Sequence, residues 1–373
     1  MERAIKGQIL RDLASKIVFI TGPRQVGKTW LAKDIAKSFR APVYLNYDRI
    51  EDRKIIEGTS WLPATDLLVL DELHKMPGWK NYIKGIFDTR PEHLKIIVTG
   101  SARLDFWRQT GDSLAGRFFT HRLFPLSPGE LAAAGAEPDI DRLLARGGFP
   151  EPYLAAADSW AARWRNQYAG GLVREDALDF GRLNDLKSLE LTLNLLRRRV
   201  GSPVSYTSIA GDAGISPNTV KNYIQIFEAL CIVFRVTPFS RTIARSLVKE
   251  PKLYFFDTGM VEGDGGAKFE NLAALSLYGH AAALEDREGV RACLHYLRTK
   301  DGREVDFCLV KNDEPAFLAE AKLSDSAVGK HLRYFSAKYN IPGVQVVKNL
   351  RREYRDGAVE VRLAERFLRD LRP

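Results

Sequence analysis

The apolar run KIVFIT (16–21) breaks into GPRQVGKT (22–29), and this junction decides the fold of the N-terminal part. A run without polar interruption suits a strand buried on both faces of a parallel sheet. Gly22, Gly27, Lys28 and Thr29 then meet the spacing G-x-x-x-x-G-K-[ST], with Gln25 and Val26 inside the loop. Glycines let such a loop wrap closely enough for backbone N–H groups to face phosphate oxygens, and a helix over about 29–39 adds its positive N-terminal end. In this reading Lys28 reaches the β- and γ-phosphates of ATP, and the Thr29 hydroxyl ligates Mg²⁺.

A second segment supports the first. LLVLDE (67–72) is four aliphatics followed by two acids. As a buried strand of the same sheet it delivers Asp71 to the Mg²⁺ and Glu72 to the place where a water is polarised for attack. Further strands fit at VYLNYD (43–48), KIIVTG (95–100) and FFTHRLF (118–124). Ser101, at the end of KIIVTG, either orients the attacking water or caps a helix. Arg117, in SLAGR (113–117), either neutralises γ-phosphate charge, in cis or across a subunit contact, or is an ordinary surface arginine.

The chain has 373 residues, enough for two or three domains, and Lys+Arg exceed Asp+Glu by 56 to 47 for a net charge of +9. That excess is compatible with DNA as partner without requiring it. Cys231, Cys293 and Cys308 show no metal-ligand spacing, so free thiols in a reducing compartment are expected. MERAIKGQIL at the N-terminus has no signal-like apolar core, and no window is long and apolar enough to span a bilayer. The expectation is a cytoplasmic protein with no membrane partner.

GPRQVGKT, LLVLDE, TGSA (99–102), SLAGR and FPLSPGEL (124–131) together resemble the AAA+-type P-loop ATPases of bacteria and archaea. More closely, they resemble the group whose C-terminal part is the DUF4143 region. PKLYFFDTGM (251–260) and FENL (269–272) extend that resemblance over nearly the whole chain. It implies a sheet in the order 5-1-4-3-2, with the Ser101 strand between those of Lys28 and Asp71, and it supports the water-orienting role of Ser101. Ala102 stands where the group more often has a second small hydroxyl residue.

Residues 131–200 alternate helical stretches with Gly/Pro punctuation such as GGFPEP (147–152), which suggests a helical lid over the nucleotide. In SYTSIAGDAGISPNTVKNYIQIFEAL (205–230) a short helix meets a turn at Gly214, and Ser216 and Pro217 open a second helix. Val220, Tyr223, Ile224, Phe227 and Leu230 give that helix one buried face. Asn218, Thr219, Lys221 and Asn222 front the other face, as in a helix-turn-helix. With CIVFRVTPF (231–239) and KLYFFD (252–257) as a wing, residues 201–258 read as a winged helix that contacts DNA or packs against protein.

In the last hundred residues, EVDFCLV (304–310) and FLAEAKLS (317–324) read as a hairpin. A turn about Asp313 sets Asp306 opposite Glu320, with Lys322 two residues on and Glu270 arriving from the FENL helix. Two close carboxylates need a cation, here a second Mg²⁺ or Mn²⁺, and a neighbouring lysine can then activate water. The pattern D-x13-E-x-K resembles the PD-(D/E)xK nuclease superfamily, although Val305 replaces the usual proline. Ordinary cross-strand salt bridges are the other explanation. The architecture expected is therefore α/β: a P-loop NTPase core (1–130), a helical lid (131–200), a winged helix (201–258) and a restriction-endonuclease-like domain (259–373). Functionally this is a Mg²⁺-dependent ATPase, DNA-associated and capable of homo-oligomerising, whose ATP state controls the downstream modules. The alternative is a regulatory or protein-binding ATPase with an inactive nuclease-like domain.

Overall fold

Five parallel strands build the N-terminal sheet: β1 (Ile17–Thr21), β2 (Pro42–Asn46), β3 (Leu67–Asp71), β4 (Lys95–Thr99) and β5 (Phe118–Arg122). Their order is β2-β3-β4-β1-β5, the order implied by the family resemblance. Every residue of β1 and β3 is buried, because the crossover helices of a parallel sheet cover both faces. The computed structural model describes residues 1–100, 114–173, 185–240, 250–299, 301–324 and 327–372. They fall into two compact units, Met1–Phe124 and Pro125–Pro373.

In the first unit the helix Lys28–Ala36 follows β1 after the loop 22–27 and buries Leu31, Ala32 and Ile35, the i, i+1 and i+4 positions of one stripe. The helix Trp79–Thr89 buries Trp79, Ile83 and Ile86 against Phe19, Leu68, Leu70 and Ile96. Register places Asp71 beside Thr99, so the acid at the tip of β3 meets the hydroxyl at the tip of β4.

The second unit contains an eight-stranded mixed sheet in the order β12-β13-β11-β10-β9-β8-β6-β7. Its strands are β6 (Val233–Pro238), β7 (Lys252–Phe255), β8 (Ala292–Arg298), β9 (Glu304–Lys311), β10 (Glu314–Ser324), β11 (Gly343–Asn349), β12 (Tyr354–Asp356) and β13 (Val359–Leu363). Leu309 of β9 packs with Ala281 and Leu284 of the helix Gly265–Glu288. Its neighbours Cys308 and Val310 pack with Leu332 and Phe335 of the helix Lys330–Tyr339. Adjacent residues of one strand point to opposite faces, so this sheet is covered on both sides.

One expectation changes here. The β6–β7 pair is not a free-standing wing, because β6 continues the large sheet by pairing Thr237 with His295 and Pro238 with Tyr296 of β8. The helices Tyr206–Ala213 and Pro217–Ala229 form as expected, with Gly214 left-handed between them at φ 66°. Among the described residues no helix is long and apolar enough to cross a membrane.

Candidate functional site

The loop after β1 is shaped by close backbone approach. Gly22 has φ 140°, and a Cβ there would lie 2.2 Å from the carbonyl oxygen of Leu123, so no other residue fits. Gln25 and Gly27 are also left-handed, at φ 59° and 102°, and the chain enters the helix at Lys28. The Lys28 ammonium is buried and donates to the carbonyls of Gly22 (2.9 Å) and Pro23 (2.6 Å). The Thr29 hydroxyl donates to Asp71 Oδ2 at 2.8 Å. The glycine loop and the acidic strand end therefore meet in space.

Asp71 collects more donors than sequence reasoning assigned to it. The Tyr44 hydroxyl donates to Oδ2 at 2.6 Å and the Thr99 hydroxyl donates to Oδ1. Burial, then the Asp71 carboxylate, pushes the Tyr44 phenol above its ordinary value. Thr99 was visible in KIIVTG, but nothing local distinguishes it from Ser101, which lies outside the described residues.

Glu72 is left-handed at φ 57°, and its N–H faces both Thr99 O (3.0 Å) and Asp71 Oδ1 (3.1 Å). A non-glycine residue in this region carries strain, which here turns the side chain out of the strand path. Burial raises the Glu72 carboxyl above the usual carboxylate value; Lys75 opposes that rise and Asp71 adds to it. Its Oε2 lies 3.6 Å from His74 Nδ1 and 3.8 Å from Lys75 Nζ.

Arg117 requires a correction for action in cis. It precedes β5 and its carbonyl accepts from Ile17 N at the first residue of β1, whereas the glycine loop follows the last. Five strand residues separate the two ends, roughly 16 Å. The guanidinium pairs instead with Asp88 at 2.8 and 3.1 Å.

The second unit holds a cluster of acids around a buried lysine. Turn residues Asn312 and Asp313 are both left-handed, and Lys311 faces Glu314. Continued without interruption, that register would set Asp306 against Ala319. A bulge between Pro315 and Phe317 shifts it by one, so Phe307 faces Ala319, the register that a turn about Asp313 would give. The Ala321 N–H donates to Asp306 Oδ2 at 3.2 Å, and Lys322 pairs with Glu320 at 2.7 Å.

Lys252, a residue missed in the sequence, sits among these acids with its side chain 1% exposed. Its ammonium lies 2.7 Å from Glu304, 3.6 Å from Glu270 and 3.7 Å from Asp306. The Tyr254 hydroxyl donates to Glu270 Oε1 at 2.7 Å. Burial first, and Asp306 second, push the Glu270 carboxyl up to about 7. Among the described residues no three His, Cys, Asp or Glu side chains group as a metal-ion site. The available signal was a lysine inside the otherwise apolar KLYFF, since such a charge is rarely buried unless paired.

The rest of the KLYFFDTG and FENL segments is structural. Asn271 is buried and exchanges hydrogen bonds with the backbone of Phe255, closing the open edge of β7 in place of another strand. Asp257 pairs with Arg165 of the helix Asp158–Gly171 at 3.0 Å and leaves no space for a Cβ at Gly147.

On the helix Pro217–Ala229, Asn218, Lys221 and Asn222 are exposed, while the Thr219 hydroxyl shares a 2.9 Å hydrogen bond with Ser216. The nearby arginine triplet is engaged: Arg197 and Arg198 pair with Glu262, and Arg199 with Asp212. Lys221 is an exposed cation on that front edge.

Residues 14–132 match the AAA domain family, residues 137–263 a domain of unknown function (DUF8612), and residues 265–364 a domain of unknown function (DUF4143). Uncharacterized proteins of Mycobacterium bovis and Mycobacterium tuberculosis are each 24% identical over 329 residues, 85% of this chain and 73% of theirs. The Walker-type ATPase of Pyrococcus abyssi is similar with a TM-score of 0.45 at 12% identity, covering 69% of this chain and 93% of that one. AMPPCP-bound DnaA from Aquifex aeolicus has a TM-score of 0.34 at 18% identity, covering 60% of this chain and 86% of that one.

Proposed function

We propose that this chain, an AAA-type P-loop ATPase with a C-terminal DUF4143 domain, hydrolyses ATP in its first unit and uses its second unit to bind a partner, without cutting nucleic acid. The observation that carries the first half is the 2.8 Å contact between Thr29 and Asp71. An oxygen-only donor pair at the mouth of a glycine loop suits a hard divalent cation. Thr29 and Asp71 would hold Mg²⁺, which supplies charge neutralisation at the β- and γ-phosphates. Gly22, Gln25, Val26 and Gly27 supply the loop, and Lys28 exchanges two neutral carbonyls for anionic phosphate oxygens, a stronger partnership. Glu72, whose burial raises its carboxyl above the usual carboxylate value, polarises the attacking water. Ser101 orients that water, and Arg117 acts across a contact between copies.

For the second half, positive charge already stands beside these acids: the Lys252 ammonium next to Glu270, Asp306 and Glu304, and Arg298 at 3.2 Å from Glu304. Lys322, in turn, is engaged by Glu320. This favours a nuclease-like fold kept for binding over a Mg²⁺- or Mn²⁺-dependent nuclease. DNA remains a specific candidate partner because Asn218, Lys221 and Asn222 are exposed on one helix edge, with Thr219 beside them. Nucleotide state is proposed to control that engagement.

The test is incubation of the purified chain with ATP, Mg²⁺ or Mn²⁺, and single- or double-stranded DNA and RNA. We expect ATP turnover that Lys28→Ala abolishes, and no cleavage. Strand cleavage lost in Asp306→Asn would overturn the second half, and absence of nucleotide binding would overturn the first. Salt-sensitive DNA binding that weakens in Lys221→Ala and changes with ATP would identify DNA as the partner.

A further inference from the structure

Arg3 lies in the N-terminal segment and is 3% exposed, although arginine is rarely buried. Its guanidinium donates from Nη1 to the carbonyl of Val26 (2.9 Å) and from Nη2 to the carbonyl of Phe124 (2.6 Å). One planar fork thus joins the end of the glycine loop to the segment leaving β5. The start of the loop leans on the same segment, because Gly22 passes under the carbonyl of Leu123 while Leu123 N bonds Thr21 O at 2.8 Å.

We infer that Arg3 is a positioning residue of the phosphate loop, holding the Val26–Gly27 peptide so that its N–H is turned into the cradle. The reason is peptide geometry. Among the described residues there are no cis peptide bonds, and across a trans peptide the carbonyl and the N–H point in opposite directions. Anchoring the Val26 carbonyl on Arg3 therefore aims the Gly27 N–H away from Arg3. Gly27, at φ 102°, has no side chain to resist other orientations, so an external anchor is needed to select one. The guanidinium fork suits two carbonyls at once, whereas a lysine carries the same charge on a single nitrogen. The inference rests on the reading of residues 22–29 as a nucleotide site.

The experiment compares wild type with Arg3→Lys and Arg3→Met for ATP turnover against ATP concentration, with circular dichroism to confirm folding. Arg3→Lys is expected to raise KM about tenfold, the loss of one charge-assisted hydrogen bond, with kcat within about twofold. Arg3→Met is expected to be weaker still. A folded Arg3→Lys protein with wild-type KM overturns the inference. Hydrogen exchange with ATP added is the second measurement, with amides of residues 22–29 expected to slow more in the wild type than in Arg3→Lys at the same subsaturating ATP concentration. Equal slowing also overturns it. Lys28→Ala separates the two claims: if it too binds ATP normally the nucleotide-site reading falls, whereas if only the Arg3 variants do, the positioning role falls.

Discussion

Replacing Lys252 with methionine keeps the length and apolar stem of the side chain but removes the charge from a group only 1% exposed. Glu270 and Asp306, now 3.6 and 3.7 Å from that charge, would lose it, and Glu304, now 2.7 Å away, would keep Arg298 at 3.2 Å. Two like charges 4 Å apart repel by about 4 kcal/mol at an effective dielectric near 20. Removing one partner of a buried ion pair typically costs about 3–5 kcal/mol. We therefore expect a loss of about 4 kcal/mol at pH 8, or roughly 8–16 °C in the melting midpoint for a unit of this size. The deficit should shrink at pH 6, where Glu270, with its carboxyl near 7, takes a proton and relieves the repulsion. If Lys252 holds the place of a metal ion, Mn²⁺ should restore part of the variant's midpoint and leave the wild type unmoved, by about 2.7 kcal/mol at one hundred times its dissociation constant. Scanning calorimetry at both pH values, with and without Mn²⁺, measures all of this. A variant that melts with the wild type at pH 8, or a wild type stabilised by Mn²⁺ as strongly as the variant, would refute the reasoning.

Two further outcomes follow from single residues. The folded Glu270 carboxyl, about 7, lies above its ordinary 4.5, so its proton favours the native state at low pH and that stability is lost as pH rises through 7. Glu270→Gln should thus match the wild-type midpoint near pH 5 and exceed it increasingly toward pH 8; a constant difference across that range would contradict the assignment. Gly22→Ala forces a Cβ to 2.2 Å from Leu123 O at φ 140°, and it should cost about 1–3 kcal/mol in backbone strain alone. ATP turnover by this variant should be lost together with the lowered midpoint, and normal turnover would show that the loop tolerates displacement.

The helix edge at residues 217–229 was legible because it depends on signals a few residues apart, whereas the order of the five strands came from the family resemblance and not from any local pattern. Ser216 caps, Pro217 opens, and Val220, Tyr223, Ile224 and Phe227 recur on one face. The pairing of Arg117 with Asp88 was not legible, since the two lie 29 residues apart in sequence. The continuation of the β6–β7 pair into the large sheet was hidden for a similar reason: β6 has the apolar pattern of a hairpin strand, but its second partner, β8, lies more than fifty residues downstream in sequence.

By itself the sequence determined the phosphate loop, the acidic end of β3 and the hairpin carrying Asp306 and Glu320, because backbone strain, period-two alternation and glycine requirements act within a short stretch of chain. Only the tertiary structure decided which cations meet these acids and carbonyls. Lys252 reaches Glu304, and Arg3 reaches Val26 and Phe124, across 52, 23 and 121 residues of chain. Such meetings depend on strand order, a single bulge and the burial that makes a partner obligatory, and no local pattern encodes them.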